Sequence, residues 1–170
     1  MSEKSRNYIG KLKYFEGLDL ATEYTNMAEN DFLSAKFLEN RAVYNQAAYF
    51  YMQYMEKKIK ASISRIINPT LPYYANKLRE IGHSLDKSIH FLIEILSGND
   101  ISLKLQLEHQ ILNVIFENIM FGHLYNQCRY PSYHENHRNY SMIEITAKDC
   151  ERIRVIAKKL DKFLEDFHKL

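Results

Sequence analysis

The sequence predicts an all-α protein, a bundle of five helices. Two observations support this fold class. Apolar side chains recur at three- and four-residue spacings, the period of an α-helix, along five stretches of the 170-residue chain. Five glycines, three prolines and the absence of tryptophan also suit a helix bundle better than a β-protein. We predict no strand and no internal repeat, so the helices should pack on one another.

The first two predicted helices are long. The first covers 19–40, where the apolar positions at helical spacing are Leu20, Tyr24, Met27, Ala28, Ala35 and Leu38. The second follows within 41–67, and its apolar stripe consists of Ala48, Tyr51, Met52, Met55, Ile59 and Ile63. The sequence NPTLP closes this helix, because two prolines cannot continue it. We expect the next segment, 73–84, to be a connector with one short helical turn.

Three further helices complete the predicted bundle. One covers 85–97 and ends at Gly98, a C-cap glycine. The next covers 101–125 and is apolar enough to be the most buried helix, with a face formed by Leu105, Leu112, Ile115 and Ile119. In the last helix Thr146 is the predicted N-cap, and Asp149 stands in the capping-box position. Its apolar face consists of Ile153, Ile156, Ala157, Leu160, Phe163, Leu164 and Phe167.

Length and composition limit the class of protein. We expect one domain over 19–170, after a loosely ordered N-terminal segment at 1–18. The 23 basic and 21 acidic residues nearly cancel, which argues against a polybasic nucleic-acid arm but allows a local basic site. Two cysteines give no disulfide framework, and no apolar run approaches a membrane span or a signal-peptide core. We therefore expect a soluble cytoplasmic protein.

The segment 127–146 interrupts the helical pattern with a different chemistry. Its sequence, QCRYPSYHENHRNYSMIEIT, lacks the Gly and Asp residues of an ordinary connector. Arg129 can bind a phosphate bidentately, and the imidazole of His134 can exchange a proton near neutral pH. Together these groups suffice for RNA cleavage without a metal, since His134 can deprotonate a 2′-hydroxyl while Arg129 stabilises charge on the phosphoryl oxygens. The same spacing also arises by chance in solvated loops.

Other side chains of the segment extend this hypothesis. Tyr130 and Tyr133 can stack on bases, and we assign them to substrate binding together with His137 and Arg138. His134, Glu135 and His137 could also approach a metal, but three or four convergent ligands are needed and we expect no metal and no cofactor.

Several other residues are better explained by packing. Glu80 and His83 match the E-x-x-H half of a di-iron site, but no second copy lies on another long helix. We expect Cys128 to be a small packing residue despite its arginine neighbour, which could acidify the thiol. The tyrosines of the second helix, expected in packing or on a dimer face, are Tyr44, Tyr49, Tyr51 and Tyr54.

Five stretches, in order, resemble the HEPN family (higher eukaryotes and prokaryotes nucleotide-binding). They are AENDFLSAKFL, AAYFYMQYMEKKIKASI, IGHSLDKSIHFL, CRYPSYHENH and ITAKDCERIRVIAKKLDKFL. Glu56, Lys57 and Lys60 stand where that family has an acidic residue followed by lysines. Arg129 and His134 match its R-x4–6-H signature, in the Arg-Tyr-Pro form. The resemblance spans nearly the whole chain from residue 19.

The resemblance implies a dimeric, up-and-down HEPN-type bundle of four to five helices, with two R-x4–6-H segments meeting at the two-fold axis. Active members are metal-independent endoribonucleases, many of them toxins or phage-defence effectors. Carried over, Arg129 would hold phosphate and His134 would be the acid–base group. The alternative is a non-catalytic module that binds a nucleotide or a protein partner, such as a cognate minimal nucleotidyltransferase. Tyr130 after Arg129 favours that alternative, and a purely structural adaptor is a third.

Overall fold

The computed structural model describes residues 17–167, in which seven α-helices and one short hairpin follow one another. The helices are α1 (Leu20–Asn40), α2 (Tyr44–Ile66), α3 (Pro72–Ile81), α4 (Leu85–Ser97), α5 (Ile101–Glu108), α6 (Gly122–Gln127) and α7 (Ala147–Phe167). The predicted all-α class is confirmed for this part of the chain. Of the predicted loose segment 1–18, only Gly17 and Leu18 are among the described residues. At the other end of the chain, the described residues stop before His168.

The core is built around α2, which packs along α1 and also contacts α4 and α7. All six members of its predicted apolar stripe are buried, namely Ala48, Tyr51, Met52, Met55, Ile59 and Ile63. The predicted faces of α4 and α7 are likewise buried over most of their length. In α1 the buried positions are alanines, and Met27, which we predicted on the inner face, is half exposed. The prediction for Met27 was wrong because the buried face follows Ala21, Ala28 and Ala35, and Met27 lies about 100° from Ala28 around the helix.

Ion pairs and one tyrosine join α1, α2 and α7 at their edges. The carboxylate of Glu39 accepts a hydrogen bond from Tyr51 Oη at 2.6 Å and another from Arg154 Nε at 3.2 Å. Lys58 Nζ lies 2.7 Å from Asp161 Oδ1. These contacts orient the three longest helices around the same core.

The predicted connector 73–84 is mostly helix, so that prediction was wrong. Pro72 starts α3 at a position where its missing N–H costs nothing. Ile81 is the buried residue of α3, and Tyr74 and Leu78, on the same face at helical spacing, are partly buried against the core. Gly82 ends the helix with a φ of +57°, a conformation that glycine adopts without strain.

The single helix predicted over 101–125 is broken, and it is not the most buried. After α5 the chain continues as a π-helix, His109–Ile115, and then turns through Glu117 and Asn118, both with positive φ. Two fully buried rings, Phe116 and Phe121, pack edge to face at 5.7 Å and hold this turn in the core. On α5 itself Leu105 is exposed.

A short antiparallel hairpin, β1 (Ser132–His134) with β2 (Asn139–Ser141), lies in the segment where no strand was predicted. A 3₁₀ turn, Glu135–His137, and Arg138 with a φ of +49° connect its strands. The capping of α7 follows the prediction. Thr146 Oγ1 accepts from Asp149 N–H at 3.2 Å, and the Asp149 carboxylate accepts from Thr146 N–H at 3.0 Å.

No helix within 17–167 combines the length and apolar character that crossing a membrane requires.

Candidate functional site

Arg129 lies directly after α6, and its guanidinium is surrounded by three tyrosine rings. Its Cζ lies 4.7 Å from the ring centre of Tyr125, 4.9 Å from that of Tyr49 and 5.0 Å from that of Tyr130. Cations over aromatic faces at such distances are attracted by the ring quadrupole. We call these three rings the Arg129 cage.

The guanidinium donates two hydrogen bonds to α6, which fix it within the cage. Arg129 Nε donates to the carbonyl oxygen of Tyr125 at 3.3 Å, and Nη2 donates to Asn126 Oδ1 at 3.0 Å. Among residues 17–167, no hydrogen bond involves Nη1. The side chain is exposed, so Nη1 can donate to a bound anion.

Buried polar side chains of α2 form a network that contacts Tyr125 of the cage. Gln53 Nε2 donates to Tyr125 Oη at 2.9 Å and to Glu56 Oε2 at 3.3 Å. Glu56 Oε1 in turn accepts from Lys60 Nζ at 2.7 Å. Glu56 is 2% exposed and Lys60 is 5% exposed, so two opposite charges are compensated within the interior. We call Gln53, Glu56, Lys60 and Tyr125 the polar network.

Burial changes the acidity of two groups beside Arg129. It raises the pKa of the Tyr125 hydroxyl well above its usual value, so this group stays a neutral hydrogen-bonding hydroxyl. It also raises the pKa of the Cys128 thiol to about 11. The predicted packing role of Cys128 is confirmed by its burial, and the alternative of an acidified thiol was wrong because desolvation outweighs the nearby arginine.

The hairpin presents most of the other predicted site residues to solvent. His134 ends β1, and His137 and Arg138 form the connecting turn, all three exposed. Tyr133 and Tyr140 face each other across the strands with ring centres 5.2 Å apart, and they are 53% and 68% exposed. Two adjacent exposed rings next to imidazole and guanidinium groups form a surface on which bases can stack.

The structure does not join the predicted pair directly. Within 17–167, no hydrogen bond or ion pair links His134 to Arg129, which is held by α6 instead. Of the predicted substrate-binding residues, Tyr130 belongs to the Arg129 cage, whereas Tyr133, His137 and Arg138 belong to the hairpin. In the described part of the chain, no three His, Cys, Asp or Glu side chains lie close enough together to hold a metal.

Several residues of this region were not predicted as site residues. Tyr49, which we expected in packing, is half-buried and lies 5.3 Å from Tyr125, ring centre to ring centre. Tyr51 and Tyr54 are buried in the core, as expected. The only sequence signal for the polar network was the pairing of Glu56 with Lys60 four residues later, inside an apolar stripe.

Comparisons with protein-family models, with curated proteins and with solved structures found no match.

Proposed function

We propose that the protein is a metal-independent endoribonuclease of HEPN type, a toxin or phage-defence effector that cleaves single-stranded RNA. Arg129 holds the scissile phosphate and His134 is its acid–base group. The 2′-oxygen attacks phosphorus as its proton leaves, and the bond to the 5′-oxygen breaks. The products are a 2′,3′-cyclic phosphate and a 5′-hydroxyl.

The Arg129 cage is the observation that carries this proposal. An exposed guanidinium held by three rings and two hydrogen bonds keeps one orientation before substrate arrives. Such preorganisation lowers the cost of stabilising charge on a phosphoryl oxygen. The exposed Tyr133 and Tyr140 rings supply stacking surfaces for the neighbouring bases.

We also propose that the site is completed in a homodimer. Apolar side chains left exposed by the fold include Ile101 and Leu105 on α5 and Met120 before α6. A two-fold interface could cover them. Light scattering at micromolar concentration should therefore give twice the 20.2 kDa chain mass, and Leu105→Glu should shift the population toward the monomer. A strict monomer in the wild type would contradict the composite site.

A second candidate function is nucleotide or partner binding without cleavage, with a minimal nucleotidyltransferase as the partner. Tyr130 favours it, because its ring covers the guanidinium of Arg129. A guanidinium with Nε and Nη2 already engaged has fewer donors left for a transition state. RNA or nucleotide would then be bound by the same cage and hairpin but not cut.

Single-residue variants distinguish the two functions. In a cleavage assay with EDTA present, His134→Ala should lower the rate about 10²–10⁴-fold through lost proton transfer. Arg129→Ala should lower it by a similar order, about 10²–10³-fold. The double variant should be scarcely worse than either single variant, because both groups serve one step. His137→Ala should have a much smaller effect.

Two matched control variants distinguish an effect at the site from the general effect of removing an exposed arginine or histidine. Arg79 is also an exposed arginine that donates to an asparagine three residues earlier, Asn76 Oδ1, at 2.8 Å. Arg79→Ala should leave cleavage unchanged, and so should His90→Ala at an exposed position on α4. Full activity in His134→Ala would exclude the ribonuclease mechanism proposed above. Activity that disappears with EDTA and returns with zinc would do the same.

A further inference from the structure

His83 is an exposed imidazole supported by a buried carboxylate. It lies in the turn between α3 and α4, where its Nδ1 is 3.5 Å from Glu56 Oε1. The His83 side chain is 76% exposed, whereas that of Glu56 is 2% exposed. A carboxylate beside Nδ1 favours a proton on that nitrogen and leaves Nε2 as the free acceptor.

The polar network also fixes the turn that carries His83. Lys60 Nζ donates to the carbonyl oxygen of Gly82, the residue directly before His83. Gly82 adopts a positive φ of 57° and completes a sharp change of direction after α3. The buried Lys60 therefore holds both the backbone before His83 and the carboxylate beneath it.

A cleft of about 190 Å³ lies between His83 and Tyr125, one of the three rings of the Arg129 cage. Its lining includes His83, Ser84, Gly122, Tyr125 and Asn126. Tyr125 and Asn126 are the residues that accept the hydrogen bonds of Arg129. One series of contacts thus runs from Arg129 through Tyr125, Gln53 and Glu56 to His83. We call this space the His83 cleft.

We infer that His83 is a second proton-transfer residue of the ribonuclease and that the scissile phosphate binds at the His83 cleft; this inference rests on the proposed function. Cleavage by 2′-hydroxyl attack needs one group to accept the 2′-proton and another to give a proton to the departing 5′-oxygen. His134 supplies one of these groups. Neutral His83 takes the 2′-proton on Nε2, protonated His134 gives a proton to the departing 5′-oxygen, and exchange with water restores both protonation states after the products leave.

The first test measures how fast the 170-residue chain cleaves a fluorescent single-stranded oligoribonucleotide. His83→Ala should lower kcat about 10²–10⁴-fold. It should also remove one limb of the pH–rate profile, while KM changes little. Because His83 is exposed, the variant should keep its fold, which circular dichroism checks. His90→Ala, an exposed histidine seven residues further along, is the matched control and should retain wild-type kinetics.

The second test is binding of a 2′-deoxy dinucleotide, which cannot be cleaved, followed by NMR of the histidine side chains. The His83 resonances should move on binding, and those of His90 should not. In the free protein the neutral His83 ring should carry its proton on Nδ1, and Glu56→Gln should alter that tautomer preference. This readout would not change if Glu56 only stabilised the fold.

The outcomes separate the two proposals. Wild-type rates in His83→Ala, with His134→Ala inactive, would overturn the role of His83 and leave the ribonuclease standing. A wild type that cuts no RNA would overturn both; His83 resonances that still move would then show a nucleotide-binding cleft without proton transfer. Loss of cleavage in both variants, with His83 shifts on dinucleotide binding, would support the inference.

Discussion

Lys60→Met should be among the most destabilising single substitutions in this chain. The Lys60 ammonium is 2.7 Å from Glu56 Oε1, and both side chains are almost fully buried. At an effective dielectric constant of about 20, the gross attraction at this distance is about 6 kcal/mol. Methionine keeps the volume but removes the charge, so Glu56 remains buried with Gln53 and His83 as its nearest polar partners. Breaking a buried ion pair on one side typically costs about 3–5 kcal/mol.

We expect the lower part of that range, about 3 kcal/mol, because Gln53 and His83 continue to stabilise the carboxylate. Urea denaturation followed by circular dichroism measures this directly. With a slope of about 2 kcal/mol per molar urea, the midpoint should fall by about 1.5 M. Adding Glu56→Gln to Lys60→Met should recover part of the loss, because the second change removes the unpaired charge.

An exposed ion pair of similar length is the control. Lys159 Nζ lies 2.9 Å from Glu117 Oε1 near the surface. Lys159→Met should cost less than about 1 kcal/mol, since water screens that pair. If Lys60→Met proved as mild as Lys159→Met, or if the double variant were less stable than Lys60→Met alone, Glu56 would not depend on Lys60 and our account of the polar network would fail.

Four further predictions concern other parts of the fold. Gly122→Ala should lower the free energy of unfolding by about 1–2 kcal/mol, because the new Cβ would lie 2.9 Å from an Asp86 oxygen that already accepts from Gly122 N–H. Thr146→Ala should cost about 1 kcal/mol through loss of the α7 cap. Hydrogen bonds from Thr146 hold the pKa of the Asp149 carboxyl below its usual value. The stabilisation that this carboxylate gives to the folded state is therefore present at neutral pH and is lost as the pH falls through the folded-state pKa. Asp149→Asn should flatten the acid side of the curve of stability against pH. Cys128 should react with a thiol reagent at pH 8 far faster in urea than in the native protein, and equal rates would contradict its burial.

The long helices could be predicted because their buried positions repeat at the helical period. On α2 every fourth residue from Tyr51 to Ile63 is buried, so the sequence pattern and the core coincide. The α7 cap could be predicted for a similar reason, because Thr146 and Asp149 interact within one turn. Local periodicity and local capping are both present in a short window of sequence.

The break after α5 could not be predicted in this way. The residues before and after it are equally apolar, and the turn depends on where Phe116 and Phe121 enter the core. The start of α6 depends on Asp86, whose carboxylate accepts from the N–H groups of Phe121 and Gly122. Such long-range contacts leave no periodic signal near the break.

The candidate site also combines features that the sequence could predict with contacts that it could not. The composition of 127–146 indicated exposed, chemically active side chains, and Arg129 and His134 are exposed. The composition could not indicate that Tyr49 and Gln53, more than seventy residues earlier, hold Arg129 and Tyr125. Nor could it place His83 beside Glu56, because that pairing depends on how the turn after α3 lies against α2.

The segment between α6 and α7 is buried at its two ends and largely exposed between them. Cys128 is buried at one end and Ile145 at the other, whereas no residue of 129–144 is buried. Asn45 on α2 secures the second end, since its side chain donates to the Ile143 carbonyl oxygen at 2.8 Å and accepts from the Ile145 N–H at 2.9 Å. Exchange of the hairpin tip therefore costs little folding energy, since loop length and exposed tips are cheaply altered. The sequence of this tip can therefore change while α2, α6 and α7 stay as they are.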